Sequence, residues 1–162
     1  MKGMRIGYGY DVHRLRKGRR LILGGVEIPF EKGLAGHSDA DVLLHAISDA
    51  LLGACALGDI GQHFPDTEKE FKDINSRILL RKIADMVADH GYQIENLDAT
   101  IVAQKPKLAS YIPSMRELIA NDLQIKVGQV SIKATTSERM GFEGEEKGMS
   151  ARAVALLSEM AS

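Results

Sequence analysis

The chain has 162 residues, enough for one domain with a full hydrophobic core and no need of disulfide staples. Its 44% hydrophobic and 27% charged content is that of a soluble globular protein. A net charge of −1 without a basic cluster excludes nucleic acid and anionic membranes as expected partners, and no apolar run approaches the roughly 18 residues of a membrane span.

No signal-peptide core opens the sequence; Met1-Lys2-Gly3-Met4-Arg5 leads directly into a strand pattern. Together with the single Cys55, read as a buried thiol, this suits the cytoplasm or, for a processed precursor, an organelle. From Arg5 to Leu15 the residues alternate as a strand does, with Ile6, Tyr8, Tyr10 and Val12 on one face. Asp11 and His13 project together from the other, either as a hydrogen-bonded pair or as two ligands of one metal ion. Leu21-Ile22-Leu23 and Val26-Glu27-Ile28 flank Gly24-Gly25 as a hairpin that Pro29 closes. Gly33 to Gly36 then reads as a loop delivering His37 and Ser38.

That loop runs into an amphipathic helix. Ser38 or Asp39 is its expected N-cap, with Asp41 in the first turn where the dipole favours an acid. Leu43, Ile47, Ala50 and Ala54 recur at helical spacing toward a core, and His45 and Asp49 share the opposite, polar face. His45 is thus either a surface histidine or a metal ligand held on a rigid helix.

Leu57 to Thr67 holds glycines, a proline and acids together with Ile60 and Phe64, the composition of an ordered loop. Asp59 there is a turn cap or, beside Gly61, a carboxylate for the vicinal hydroxyls of a sugar. Ile74 to His90 is a helix stopped by Gly91, Asn96 to Ala103 a strand, and Pro113 marks the first turn of another helix. The strand Gln129–Thr136 ends in Thr135, Thr136, Ser137 and Glu138, either plain strand-end solvation or a cradle for phosphate and a hard cation. The tail from Gly148 to Leu157 suits a helix by its alanines or a buried strand by its apolar run. Strands and helices in this alternation make an α/β (α+β) sandwich, a mixed sheet covered by helices.

Five motifs occur in order: Asp11-Val12-His13; Ala35-Gly36-His37-Ser38-Asp39-Ala40-Asp41 with His45; Leu57-Gly58-Asp59-Ile60-Gly61; Phe64-Pro65-Asp66-Thr67; and Lys133-Ala134-Thr135-Thr136. Together they closely resemble the 2-C-methyl-D-erythritol 2,4-cyclodiphosphate synthase family of non-mevalonate isoprenoid biosynthesis, nearly end to end. The resemblance implies a homotrimer with sheets packed together inside, helices outside and active sites between subunits. It implies one Zn²⁺ per subunit on Asp11, His13 and His45, and a second ion, Mg²⁺ or Mn²⁺, held with the help of Glu138. It further implies that His37 and Thr136 stabilise the transition state, that Ser38 contacts the transferred phosphate, and that Asp59 and Gly61 hold the cytidine ribose.

By the same resemblance, Ala103 to Ala109, including Lys107 and Leu108, forms the cytosine loop. Phe64, Pro65, Asp66, Thr67 and Glu68 lie beside the methylerythritol moiety, and Thr135, Ser137 and Phe142 are further substrate contacts. Leu108-Ala109 departs from the family's usual Met-Leu, which loosens packing beside the base. Glu145 stands where many relatives carry the Arg that lines an axial cavity for isoprenoid diphosphates, so this chain is expected to bind such ligands poorly. The residues alone also admit a zinc phosphohydrolase or a non-catalytic nucleotide-binding trimer.

Overall fold

In the computed structural model, which describes residues 3–162, the first alternating stretch forms a long strand, Met4–Lys17 (β1). Met1 and Lys2, part of the expected lead into it, lie outside the described residues. The hairpin of Leu21–Leu23 (β2) and Val26–Ile28 (β3) turns on Gly24 and Gly25, both at positive φ, as the Gly-Gly pair predicts. The stretch expected as a loop from Gly33 is in part a strand, Lys32–Ala35 (β4), because its backbone pairs antiparallel with Arg14–Lys17 at the sheet edge.

Tyr92–Val102 (β5), Val130–Thr135 (β6) and Gly148–Glu159 (β7) complete a mixed sheet in the order β4-β1-β7-β5-β6. Only β5 and β6 run parallel within it, as a crossover through a helix requires. The ambiguous tail is therefore a strand, and a central one. It pairs on both sides, and its alternate residues Met149, Ala151, Ala153, Ala155 and Leu157 are buried under a helix.

Helices Val42–Ala54 (α1), Ser76–Asp89 (α3) and Ile112–Leu123 (α4) cover one face of the sheet; Ile60–His63 (α2) and Gly141–Gly144 (α5) are single turns in the connecting loops. Helix α3 starts at an Asn75 cap and stops at Gly91 with φ +83°, and α4 carries its proline in the first turn. Arg77 and Arg81 of α3 both reach the buried Asp122 of α4 and tie the two together.

The interface that sets the geometry is β1 against α1. A Cβ at Gly7 would lie 1.8 Å from the carbonyl oxygen of Ala50, and one at Gly9 would lie 1.8 Å from that of Ala46. Only hydrogen fits at these two places, so the helix backbone rests directly on the strand. The apolar face of β1 consequently points the other way: Ile6, Tyr8, Tyr10 and Val12 are 72%, 60%, 43% and 41% exposed. Arg152 covers the ring of Tyr10, its guanidinium carbon 5.1 Å from the centroid. The three long helices lie on the other side; at this face the short α5 reaches the buried Ser150 through Glu143, and Ile6, Tyr8, Tyr10 and Val12 stay exposed.

Two expectations for α1 are corrected. Its N-cap is Asp41, not Ser38 or Asp39; the fully buried Asp41 carboxylate accepts from the backbone N–H of Leu44 and also from Gly24 and Gly25 of the hairpin. That triple acceptance fixes Asp41 one step outside the helix. Nor is its polar side an open solvent face: His45 and Asp49 share it, as expected, but are only half-exposed, and apart from Gly53 the remaining positions are buried.

Substituting Gly9→Ala forces β1 and α1 apart against backbone rather than a flexible side chain. The expected loss is about 3 kcal/mol, the upper end of ordinary overpacking, read from urea unfolding; an unchanged midpoint would contradict the packing described.

Candidate active site and metal centre

Asp11 and His13 leave β1 on its helix-facing side, and His45 meets them from α1 one turn beyond the Asp41 cap. Asp11 Oδ2 lies 2.9 Å from His13 Nε2 and 2.9 Å from His45 Nδ1, and the two ring nitrogens are 3.2 Å apart. Four-coordinate zinc with bonds of about 2.0–2.1 Å requires donor–donor edges of roughly 3.3 Å, so the triangle fits such an ion with little adjustment. His13 donates Nδ1–H to the Ala35 carbonyl at 3.0 Å, which leaves Nε2 bare toward the triangle. The fourth side opens into a cavity.

Among the described residues, this triad is the group of acids and imidazoles close enough to share a metal. Burial disfavours ionised Asp11, but hydrogen bonds and charge from the two histidines prevail and hold its pKa down to about 2. Burial likewise opposes a charged His45, yet Asp11, with Asp41 and Asp39 behind it, raises its pKa. Desolvation and the charge of Asp39 push Asp41 up to about 6 against three backbone N–H donors.

The cavity beside the triad has a volume of about 280 Å³. His37, Ser38, Gly61, Phe64, Pro65 and Asp66 line it, and Ile74 and Leu79 of the α3 region add apolar wall. His37 donates Nε2–H to the Glu68 carbonyl at 3.0 Å, so the loop after α2 is held to the loop before α1. Asp59 caps α2, accepting from Gln62 N–H at 3.0 Å, which realises its turn-cap reading while leaving the residue exposed. Thr67 and Glu68 are exposed at the rim.

A second cavity, of about 260 Å³, is formed by Ala103, Gln104, Pro106, Lys107, Leu108 and Ala109 with Thr135 and Thr136. Leu108 is buried in the core, which anchors this loop. Glu138 and Arg139 both adopt left-handed backbone, φ +55° and +62°, a strained pair held by Glu138 N–H on Thr136 Oγ1 and Arg139 N–H on Gln104 Oε1. Ser137, Glu138 and Phe142 lie with this half, and Glu145 beyond them is exposed and paired to Lys147 at 2.7 Å.

The two cavities do not meet within one chain. Val12, Ser150, Val102 and Thr135 stand level across the sheet, so both halves lie at the same end. The second lies two strand spacings from β1 at the end of β5 and three at the end of β6, roughly 10 to 14 Å. Sequence reasoning placed Asp49 beside His45 but gave it no role; its Oδ1 accepts from Ile60 N–H at 2.7 Å and fixes the start of α2 over the cavity. Its place four residues after His45 was the available signal. Ser76 was missed, and nothing local to its position as the opening residue of α3 marks it.

The YgbB family matches residues 4–158. The 2-C-methyl-D-erythritol 2,4-cyclodiphosphate synthase of Syntrophomonas wolfei is 61% identical over 156 residues, covering 96% of this chain and 99% of its own. Among solved structures, the CDP complex of IspF from Plasmodium falciparum superimposes with a TM-score of 0.87 at 35% identity, covering 99% of both chains. The bifunctional IspDF from Campylobacter jejuni reaches 0.95 at 40% identity; this chain covers 43% of that longer one. A match from the first residue of β1 almost to the last of β7, with the acid and both imidazoles gathered at one point, leaves one assignment: the chain belongs to the YgbB family, that of the 2-C-methyl-D-erythritol 2,4-cyclodiphosphate synthases.

Proposed function

We propose that this one-domain chain converts 4-diphosphocytidyl-2-C-methyl-D-erythritol 2-phosphate to 2-C-methyl-D-erythritol 2,4-cyclodiphosphate and CMP, in the cytoplasm. The observation that carries the reading is the Asp11–His13–His45 triangle, with zinc-sized edges, opening into the His37–Ser38 cavity. A phosphate oxygen of the substrate's 2-phosphate attacks the β-phosphorus, the bond from that phosphorus to the α-phosphate oxygen breaks, and CMP departs with the electron pair. No water is consumed, and the nucleophile is already an anion, so no general base is required. Zinc on Asp11, His13 and His45 supplies a Lewis acid for phosphate oxygens in this reading.

The chain's own groups position and neutralise. Ser38 and His37 stand at the wall where the transferred phosphate fits, and Phe64 to Glu68 border the methylerythritol carbons. Asp59 and Gly61 take the ribose, and Ala103 to Ala109, with Lys107, take the cytosine. Thr136 steadies the developing charge, aided by Thr135 and Ser137, while Glu138 helps hold Mg²⁺ or Mn²⁺ and Phe142 closes that end. The separation of roughly 10 to 14 Å between the two cavities supports a homotrimer in which each site takes its metal half from one subunit and its cytidine half from the next. The exposed apolar side chains Ile6, Tyr8, Tyr10 and Val12 form the surface to be packed inside it.

Incubating the protein with the substrate and Mg²⁺ in H₂¹⁸O should release CMP and give a cyclic product free of ¹⁸O. Labelled product would mean hydrolysis, and absence of CMP would mean binding alone. His45→Ala should lose bound zinc and roughly 10²–10³-fold of turnover, the scale of one lost electrostatic stabiliser, and unchanged metal content in the folded variant would contradict the ligand assignment.

Sharing of the site has its own test. His45→Ala and Thr136→Ala homotrimers should each be nearly inactive. Refolded together in equal amounts, they should regain about a quarter of wild-type turnover, since that fraction of sites draws an intact half from each variant. No recovery would place both halves of a site in one subunit.

For Glu145, the carboxylate should keep geranyl diphosphate from binding at micromolar concentration, and Glu145→Arg should admit it. Micromolar binding to the unaltered chain, measured by calorimetry, would refute this.

A further inference from the structure

His45 can offer a metal only one of its two ring nitrogens, and which one depends on where the other sends its proton. Its Nδ1 faces Asp11 and His13; its Nε2 faces Ser76 Oγ at 2.9 Å and Ser38 Oγ at 3.2 Å. Two hydroxyls could donate to Nε2 or accept from it, so these contacts alone leave the tautomer open.

Asp39 removes the ambiguity. Its Oδ1 makes a short contact with Ser76 Oγ, and the same carboxylate accepts the backbone N–H groups of Asp41 and Ser76. A carboxylate donates nothing, so the Ser76 hydroxyl proton lies on the line to Asp39. Were that proton turned toward His45, two bare oxygens would face each other at close range in a buried spot, Ser76 being 1% exposed. Ser76 Oγ is left as an acceptor, and Nε2 must be the donor.

Ser38 answers to the same logic. Its Oγ accepts from Ala40 N–H at 3.1 Å and takes the second branch of the Nε2–H bond. Its own hydroxyl proton is therefore unclaimed and is available to the cavity that Ser38 lines.

We infer that Asp39 and Ser76 are positioning residues that fix the proton of His45 on Nε2, so that Nδ1 always meets the cation and the Ser38 hydroxyl always donates to the bound phosphate. The inference rests on the metal reading above and deepens it. The relay crosses from the loop before α1 to the first residue of α3, which makes the seating of α3 part of the metal site. It also gives Asp39, first taken for a helix cap, a separate task from Asp41, which is the cap.

The test measures zinc rather than turnover. In a competition with a chromophoric chelator, Ser76→Ala should bind zinc roughly tenfold or more weakly than the unaltered protein, and Ser76→Thr, which keeps the hydroxyl, within about threefold of it. Asn75→Ala removes the exposed cap of the same helix turn without touching the relay and should stay within about twofold. In ¹⁵N-histidine spectra of the zinc-loaded protein, His45 should carry its proton on Nε2, with Nδ1 shifted by coordination.

Equal zinc affinity in Ser76→Ala and the unaltered chain would overturn the relay. So would an equal loss in Asn75→Ala, which would make the effect one of helix seating, or a proton found on Nδ1. Failure of the unaltered chain to bind zinc would instead overturn the metal reading itself, before any variant is compared.

Discussion

The closeness of β1 and α1 is the constraint on which the rest of the molecule depends. An imidazole on a helix and an acid on a strand reach a common point only if the two backbones nearly touch. Gly7 and Gly9 on one side and Ala46 and Ala50 on the other permit that, because any side chain on the strand would strike a helix carbonyl. Asp11 and His13 follow the second glycine on the same face of the strand, and His45 precedes Ala46. The contact and the site are thus one feature of the sequence, read in two places.

The same constraint decides which way the sheet faces. With glycines turned to the helix, the bulky residues of β1 have no choice but the far side, and the core of the subunit is built on α1 and the small residues of β7 instead. A strand whose large apolar residues point away from its own helices is poorly explained by an isolated subunit. It is well explained if that face meets copies of itself, as the proposed trimer would have it, and the separation of the two cavities on the sheet is compatible with the same proposal. Packing and function ask for the same assembly.

Much of this was legible in the residues. The hairpin, the stop at Gly91, the strands around Val102 and Ile132, and the Asp–His pair all follow from short-range patterns that the fold keeps. Three things were not legible, each for a physical reason. Lys32–Ala35 reads as a loop because its strand character comes from pairing with Arg14–Lys17, not from its own residues. Asp39 and Asp41 are equally good caps by residue type, and only the hairpin N–H groups of Gly24 and Gly25, distant in sequence, single out Asp41. Ser76 carries no local signal at all, since its partners Asp39 and His45 lie more than thirty positions upstream. Local chemistry was visible; the partners that orient it were not.

What unites these points is a triad that could hold a cation where a strand and a helix meet. The most direct measurement is anomalous diffraction on both sides of the zinc absorption edge, from crystals of the unaltered protein grown with zinc. The account predicts one peak per subunit, about 2.0–2.2 Å from His13 Nε2, His45 Nδ1 and an Asp11 oxygen. A peak elsewhere, or none at that point, would contradict it.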